Sequence, residues 1–131
     1  MATTDQHPTE RGAMVVAISN AVVRCTREYM GRGPTKARTY IHDDTVATFL
    51  ADTLTKGERA LAERGEQDQV REMRRAFQRA MRNDLCAEVE KITGRKVTGF
   101  FSDNHIDPDM AVESFVLAPQ GVSGKADDRS A

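Results

Sequence analysis

The stretch Gly31-Arg32-Gly33-Pro34 separates two regions whose apolar residues follow different periods. Before it, apolar residues recur every three or four positions, as on one face of a helix. After it, they alternate with polar residues, as in strands. Gly31 fits the left-handed position that ends a helix, and Pro34 prevents the helix from continuing. The stretch therefore predicts a structural turn between an N-terminal helix and a β-hairpin.

A phosphate-binding loop is the alternative for these glycines. Such a loop follows a strand, opens into a helix and carries a lysine and a hydroxyl residue at fixed spacing. Here the glycines follow a helical pattern, and the lysine and hydroxyl stand at other spacings. The helix-ending turn is the better interpretation.

The first helix is predicted over residues 10–30, after a polar lead, residues 1–9, that we expect to be disordered. Its apolar stripe consists of Met14, Ile18, Val22, Cys25 and Tyr29. Val15, Val16 and Val23 widen this stripe, so the helix could be covered on more than one side. A second subunit would cover it in that way, and so would a sheet across which the helix packs.

Two β-hairpins are predicted from alternating residues. Their strands are Lys36–His42 with Thr45–Leu50, and Val97–Ser102 with Met110–Leu117. Asp43-Asp44 forms the first turn, because short acidic side chains tolerate turn geometry. Residues 103–109 form the loop of the second hairpin.

Two helices are predicted between the hairpins. Thr55 and Glu58 have the spacing of a capping box, which starts a short helix from Lys56 to about Arg64. A long helix follows over residues 66–93 and ends at Gly94. Its predicted apolar face comprises Val70, Met73, Phe77, Ala80, Met81, Leu85 and Val89.

These elements predict a two-layer α+β domain over residues 10–117, in the order αββααββ. The two hairpins form one antiparallel sheet, and both long helices cover one of its faces. Residues 118–131 are rich in Gly, Ser, Asp and Lys and are predicted to be a disordered tail.

Composition narrows the functional classes. The 131 residues carry a net charge of -1, which favours neither a nucleic-acid binder nor a cationic membrane binder. The sequence has no transmembrane segment, since no apolar run approaches about 20 residues, and its first ten residues lack a signal-peptide core. It is expected in the cytosol, where Cys25 and Cys86 are small buried residues. No catalytic residues and no cofactor can be assigned.

One candidate site is the acidic loop that contains Asp103, His105, Asp107 and Asp109. Carboxylate and imidazole groups at alternating positions could hold a divalent ion, and a small metal-dependent enzyme would follow. The loop lacks the glycine and glutamate of a calcium-binding EF-hand. A solvated turn is the alternative.

A second candidate is an interaction face of arginines on the long helix: Arg71, Arg74, Arg75, Arg79 and Arg82. Their spacing places them within about a third of the helix circumference. Such a face could meet nucleic acid, an acidic partner or anionic lipid headgroups. It could also be an ordinary solvated face, paired with acids such as Glu66 and Glu72.

Several of these pieces together resemble the MpsC-like family of bacterial proteins. They are Gly31-Arg32-Gly33-Pro34, Leu54-Thr55-x-x-Glu58-x-x-Leu61, the arginine-bearing helix, Ile92-Thr93-Gly94-x-x-Val97, Ser102-Asp103 and Phe115-Val116-Leu117. The resemblance runs from about Met14 to Leu117. Asp52 departs from it, because relatives often have a small residue there.

The resemblance implies a function outside catalysis. Some relatives are described as the soluble component of a cation-translocating, membrane-potential-generating system that is linked to inorganic carbon uptake. This implies an accessory module beside a membrane-protein partner, with no catalytic residues to carry over. Together with the wide stripe of the first helix, it leads us to expect a homo-oligomer, such as a dimer.

Overall fold

The computed structural model describes residues 8–120 and has the predicted α+β class and element order. The elements are α1 (Pro8–Met30), β1 (Lys36–His42), β2 (Thr45–Ala51), α2 (Lys56–Glu63), α3 (Gln67–Thr93), β3 (Val97–His105) and β4 (Met110–Leu117). The four strands form one antiparallel sheet in the order β1-β2-β4-β3. The hairpins therefore meet through β2 and β4, an order that the sequence left open.

The core lies between one face of this sheet and the two long helices. It contains Ile18, Val22, Cys25, Val46, Leu50, Met81, Leu85, Val89, Ala111, Phe115 and Leu117. A smaller cluster of Leu54, Ala62 and Val70 lies beneath α2. At roughly 25 cal/mol per Å² of buried apolar surface, these contacts supply the main favourable term in folding.

The outer side of α1 is only partly covered within the fold. Val15 and Val23 are half-buried, and Val16 is 58% exposed. α1 packs across the sheet and beside α3, as in the second explanation for its wide apolar stripe.

Two local details differ from the sequence-based bounds. α1 begins at Pro8 rather than at residue 10, since a proline is tolerated in the first helical turn, where its missing N–H has no partner to lose. At the other end, Ala118 is buried, and its N–H donates to the carbonyl of Lys96 at 2.7 Å. The rest of the expected lead and tail, residues 1–7 and 121–131, lies outside the described residues.

The turn after α1 joins two distant parts of the chain. Gly31 has a φ of 81°, and its N–H donates to the carbonyl of Arg27 at 2.9 Å. Arg32 then donates to the carbonyl of Leu54 at 2.6 Å, in the loop between β2 and α2. Gly33 lies so close to the guanidinium of Arg27 that a Cβ would come within 3.1 Å of it. The turn thus fixes the end of α1 against the exit from the first hairpin.

Asp52 has a backbone conformation that few residues other than glycine adopt readily. It has a φ of 60°, in the left-handed region where a residue without a large side chain is favoured. Its carboxylate accepts a hydrogen bond from the hydroxyl of Thr35. Aspartate is among the residues that tolerate this conformation best, so the hairpin exit keeps its geometry.

β3 is longer than predicted. It continues to His105, with Asp103, Asn104 and His105 paired to Val112, Ala111 and Met110. The predicted loop therefore shrinks to residues 106–109. The sequence did not predict this end of the strand, because its inward side chains are polar and face other polar side chains rather than an apolar core.

Candidate functional site

The stripe of α3 that faces the fold contains two polar residues. Its buried residues are Val70, Arg74, Gln78, Met81, Leu85 and Val89. Arg74 and Gln78 are 5% and 6% exposed, whereas Met73, which the apolar pattern had placed inward, is 41% exposed. Arg74 is therefore not part of the exposed arginine face. The Arg74 side chain instead lies among polar groups of α2, β3 and β4.

Arg74 connects three elements. Its Nη1 donates to Glu58 Oε1 at 3.2 Å and to the carbonyl of Thr53 at 3.3 Å. Its Nε and Nη2 both donate to Asn104 Oδ1, at 3.3 and 3.2 Å. Glu58 is itself 4% exposed and closes the predicted capping box, since its Oε1 accepts from the N–H of Thr55 at 2.8 Å. The Glu58 carboxylate thus caps the N-terminus of α2 and also binds α3 through Arg74.

Glu113, on β4, is a second buried carboxyl group beside Arg74. It is 2% exposed and accepts a hydrogen bond from the hydroxyl of Ser102 on β3. Burial raises the pKa of Glu113 to about 7, although the Ser102 hydrogen bond and the charge of Arg74 act in the opposite direction. The Glu113 carboxyl therefore holds its proton to a higher pH than an exposed glutamate does.

We call Glu58, Arg74, Gln78, Asn104 and Glu113 the buried polar cluster. A cavity of about 10 Å³ beside it is also lined by Thr26. Within residues 8–120, three buried polar atoms lack a hydrogen-bond partner: Thr26 Oγ1, Gln78 Nε2 and Asn104 Nδ2. The cavity has room for about one water molecule, which such atoms could bind. It has no room for an organic substrate.

The four residues of the acidic loop do not come together. Asp103 and His105 lie on β3 at exposed positions, and Asp107 is exposed in the loop. The carboxylate of Asp109 accepts from the backbone N–H groups of Thr53, at 3.0 Å, and Leu54, at 3.2 Å. In the part of the chain that the structure describes, no three His, Cys, Asp or Glu side chains are placed to hold a metal ion.

Asp109 has a structural task that the sequence did not reveal. Besides the two backbone amides it accepts from the hydroxyl of Thr53 at 3.1 Å and from Arg59 at 3.4 Å. The N–H of Asp52 donates to its carbonyl at 3.0 Å. The residue therefore fastens the second hairpin to the segment that leads into α2.

The remaining arginines of the predicted face differ in their surroundings. Arg71 is half-buried and pairs with Asp68 at 3.1 Å. Arg75, Arg79 and Arg82 are exposed, and the guanidinium of Arg82 lies 5.9 Å from the ring centroid of Phe100. We call these last three residues the α3 arginine face.

The opposite side of the molecule carries an apolar surface that the sequence analysis did not single out. Four of the six large apolar side chains exposed within residues 8–120 lie on the sheet face turned away from the helices. They are Tyr40, Phe49, Phe101 and Met110. We call this surface the outer sheet face. A groove of about 740 Å³ runs along its β1 side, between Tyr40, Phe49 and Met110.

Position along the chain could have revealed part of the buried polar cluster. Arg74 and Gln78 follow Val70 at intervals of four, in line with the apolar residues of the same helix. Glu113 and Asn104 also stand at inward positions of alternating strands. What the spacing could not show is that these residues meet.

Among residues 8–120, no helix is both long enough and apolar enough to cross a bilayer. Comparisons with curated proteins and with solved structures gave no match. The sequence profile of one family, described as the Na+-translocating membrane potential-generating system (MpsC), matches residues 10–119. This match covers most of the chain and nearly all of the described fold, so the chain belongs to the MpsC family.

Proposed function

We propose that this chain is a non-enzymatic accessory component of the Na+-translocating membrane potential-generating system. In this role it stays in the cytoplasm, self-associates and reaches the membrane through a partner protein. The family match over residues 10–119 supports the link to the system. The two long helices support a peripheral place, because each uses its apolar stripe in the fold's own core.

The non-enzymatic part of this proposal is supported by one observation: the buried polar cluster has no space for a substrate. Its charged groups are about 95% buried or more, and the adjoining cavity of about 10 Å³ admits at most a water molecule. An active site needs a concave space in which substrate and reacting groups can meet. Here Arg74, Glu58 and Asn104 instead bind one another and connect the elements of the fold.

The α3 arginine face is the surface that we assign to the partner. Arg75 and Arg79 have no hydrogen-bond or ion-pair partner within residues 8–120, so their charge is available to an acidic surface. Both arginines lie on the helix layer, on the side of the molecule opposite the outer sheet face. A protein partner is favoured over nucleic acid, because the acids elsewhere in the chain reduce the overall field.

The test uses cells of the natural host from which the gene has been deleted. Membrane potential, measured with a voltage-sensitive dye while Na+ is varied, should fall on deletion and return with the wild-type gene. The gene that carries Arg75→Ala and Arg79→Ala should restore it only partly. Lys56→Ala with Lys91→Ala removes the same charge from other exposed positions and should restore it fully.

Two results would contradict the proposal. An unchanged membrane potential after deletion, in cells that normally express the protein, would remove it from the system. A purified chain that turns over a substrate would contradict the non-enzymatic role. A gene for a membrane subunit next to this one would be further support, whereas its absence from the neighbourhood would count against the link.

A further inference from the structure

The outer sheet face carries exposed aromatic side chains, and no described element covers it. Tyr40 is 53% exposed, Phe49 41% and Phe101 64%, and α1 and α3 pack on the other face of the sheet. Tyr40 and Phe49 already contact each other edge to face, with ring centroids 6.1 Å apart. Exposed aromatic groups that stand together are typical of an interface.

The strand register arranges this face in rows that cross all four strands. One row contains Arg38, Phe49, Val112 and Asp103, in the order β1-β2-β4-β3. The next row contains Tyr40, Ala47, Ser114 and Phe101. Each of these two rows therefore has one member of a complementary pair at either edge: opposite charges in the first row, aromatic rings in the second. The row beside them, Lys36, Ala51, Met110 and His105, has no such pair.

Within one chain these edge residues cannot meet. Three strand spacings separate β1 from β3, which amounts to about 14 Å. Neither Arg38 nor Asp103 has an ion-pair partner within residues 8–120. The complementarity becomes useful only when another molecule lies on the face.

A second copy of the chain satisfies both rows at once. When two outer faces are stacked about a two-fold axis parallel to the strands, β1 of one copy lies over β3 of the other, row against row. Arg38 then meets Asp103 twice, and Tyr40 meets Phe101 twice. In the middle of the face, Phe49 meets the smaller Val112. Aligned stacking with strands within about 30° of each other is the usual packing of two sheets.

We propose that the outer sheet face is a homodimer interface, in which Arg38 of one copy pairs with Asp103 of the other. This inference specifies the self-association in the proposed function and rests on it only in that respect. The face covers roughly 450 Å² in projection, less than the about 800 Å² that each partner buries in a standard interface. The dimer should therefore form in a concentration-dependent equilibrium rather than as an obligate unit.

Sedimentation equilibrium on the purified full chain tests the proposal. Arg38→Asp and Asp103→Arg each place like charges opposite each other at two points, and each should raise the dimer Kd at least about tenfold. The chain with both substitutions should dimerise about as tightly as the wild type. An equimolar mixture of the two single variants should also dimerise, because each contact then joins opposite charges.

The controls separate this interface from other effects. Arg64→Asp makes the same charge change at an exposed position outside both the outer sheet face and the α3 arginine face, and it should leave the dimer Kd unchanged. Phe101→Ser, at an exposed position, should weaken the dimer without any change of charge, and circular dichroism checks that each variant is folded. A wild-type chain that stays monomeric up to about 1 mM would overturn the proposal. So would a dimer that is insensitive to both charge reversals.

These outcomes do not depend on the membrane system. A chain that is monomeric in solution but still restores the membrane potential would contradict the dimer alone. A chain that dimerises as described but has no effect on the potential would contradict the accessory role alone.

Discussion

Arg74 on α3 and Glu58 in the first turn of α2 form a buried ion pair with an Nη1–Oε1 distance of 3.2 Å. Both side chains are about 5% exposed, so water hydrates neither charge effectively. The pair is held in place by further hydrogen bonds, from Arg74 to Asn104 and from the N–H of Thr55 to Glu58. A buried pair of this kind determines which elements meet, while its net gain in stability is small because of desolvation.

Breaking this pair from one side should destabilise the protein strongly. Arg74→Ala leaves the buried Glu58 carboxylate without its counter-charge and the Asn104 oxygen without its donors, and the expected loss is about 3–5 kcal/mol of unfolding free energy. Arg75→Ala, one position along the same helix but exposed, should change it by no more than about 0.5 kcal/mol. Urea unfolding followed by circular dichroism measures both values. Equal losses for the two variants would show that Arg74 is solvated.

Neutralising the pair from both sides should cost less than breaking it. Arg74→Met alone leaves a buried carboxylate, whereas Arg74→Met combined with Glu58→Gln leaves no buried charge at this point. The double variant should therefore recover part of the stability that Arg74→Met loses. The same urea titration provides the test, and a double variant no more stable than Arg74→Met alone would contradict it.

Glu113 should make stability depend on pH. Its folded-state pKa of about 7 exceeds the ordinary value of 4.5, so the folded state binds the proton more tightly than the unfolded state does. The stabilisation is fully present below about pH 4.5 and is lost as the pH rises through about 7. Cys25 is another titratable group near the carboxyl, and burial raises the pKa of its thiol to about 11, so it stays neutral in this range.

Glu113→Gln removes this titration and keeps an acceptor for the Ser102 hydroxyl. The unfolding free energy of the variant, relative to the wild type, should rise by about 3 kcal/mol between pH 4.5 and pH 8. Gln69→Ala, at an exposed position of α3, changes no ionisable group and serves as the control, with a difference that should be nearly constant with pH. A constant difference for Glu113→Gln as well would mean that the carboxyl group is hydrated.

Asp109 and His105 should respond differently to substitution. Asp109→Ala leaves the N–H groups of Thr53 and Leu54 without their acceptor, and a loss of about 2–3 kcal/mol is expected. The side chain of His105 is exposed, and within residues 8–120 its one hydrogen bond is to the carbonyl of Pro108, so His105→Ala should cost less than about 0.5 kcal/mol.

The same two variants test the metal-dependent alternative. If Asp109 fastens the hairpin, Mg²⁺, Ca²⁺ or Zn²⁺ should leave the Tm of the wild type unchanged. If the loop binds a metal, the ion should raise the Tm through preferential binding to the folded state. That rise should be absent in both His105→Ala and Asp109→Ala.

The elements of the fold could be predicted because their signals are local. The alternation in residues 36–42 and the capping box at Thr55 and Glu58 each depend on a few neighbouring residues. Arg74 shows where this reasoning ends, because arginine is solvated unless a distant partner is present, and here the partners come from residues 58 and 104. The strand order is also a long-range property, since the sequence does not state which strands of the two hairpins pair.

The outer sheet face shows the same limit in another way. Alternation divides the side chains of each strand between two faces, but it does not say whether helices cover both faces of the sheet or one. Only the packing of α1 and α3 on a single side leaves these rings exposed. The register that places Arg38 and Asp103 in one row likewise depends on pairing across all four strands.

The last prediction concerns the α3 arginine face and the way in which the chain reaches the membrane. Wild-type chain should co-sediment with membranes from its natural host at low salt and be released near 1 M salt, where the Debye length falls to about 3 Å. Arg75→Ala with Arg79→Ala should reduce this retention and leave the unfolding free energy within about 0.5 kcal/mol, since both positions are exposed. Lys56→Ala with Lys91→Ala provides the charge-matched control.

If the partner is a protein, vesicles of pure anionic lipid should retain little of the wild-type chain, and protease treatment of the membranes should abolish binding. Retention by such vesicles that depends on the arginines would instead identify lipid headgroups as the partner, and salt-sensitive binding to RNA or DNA would contradict the assignment of this face to a protein.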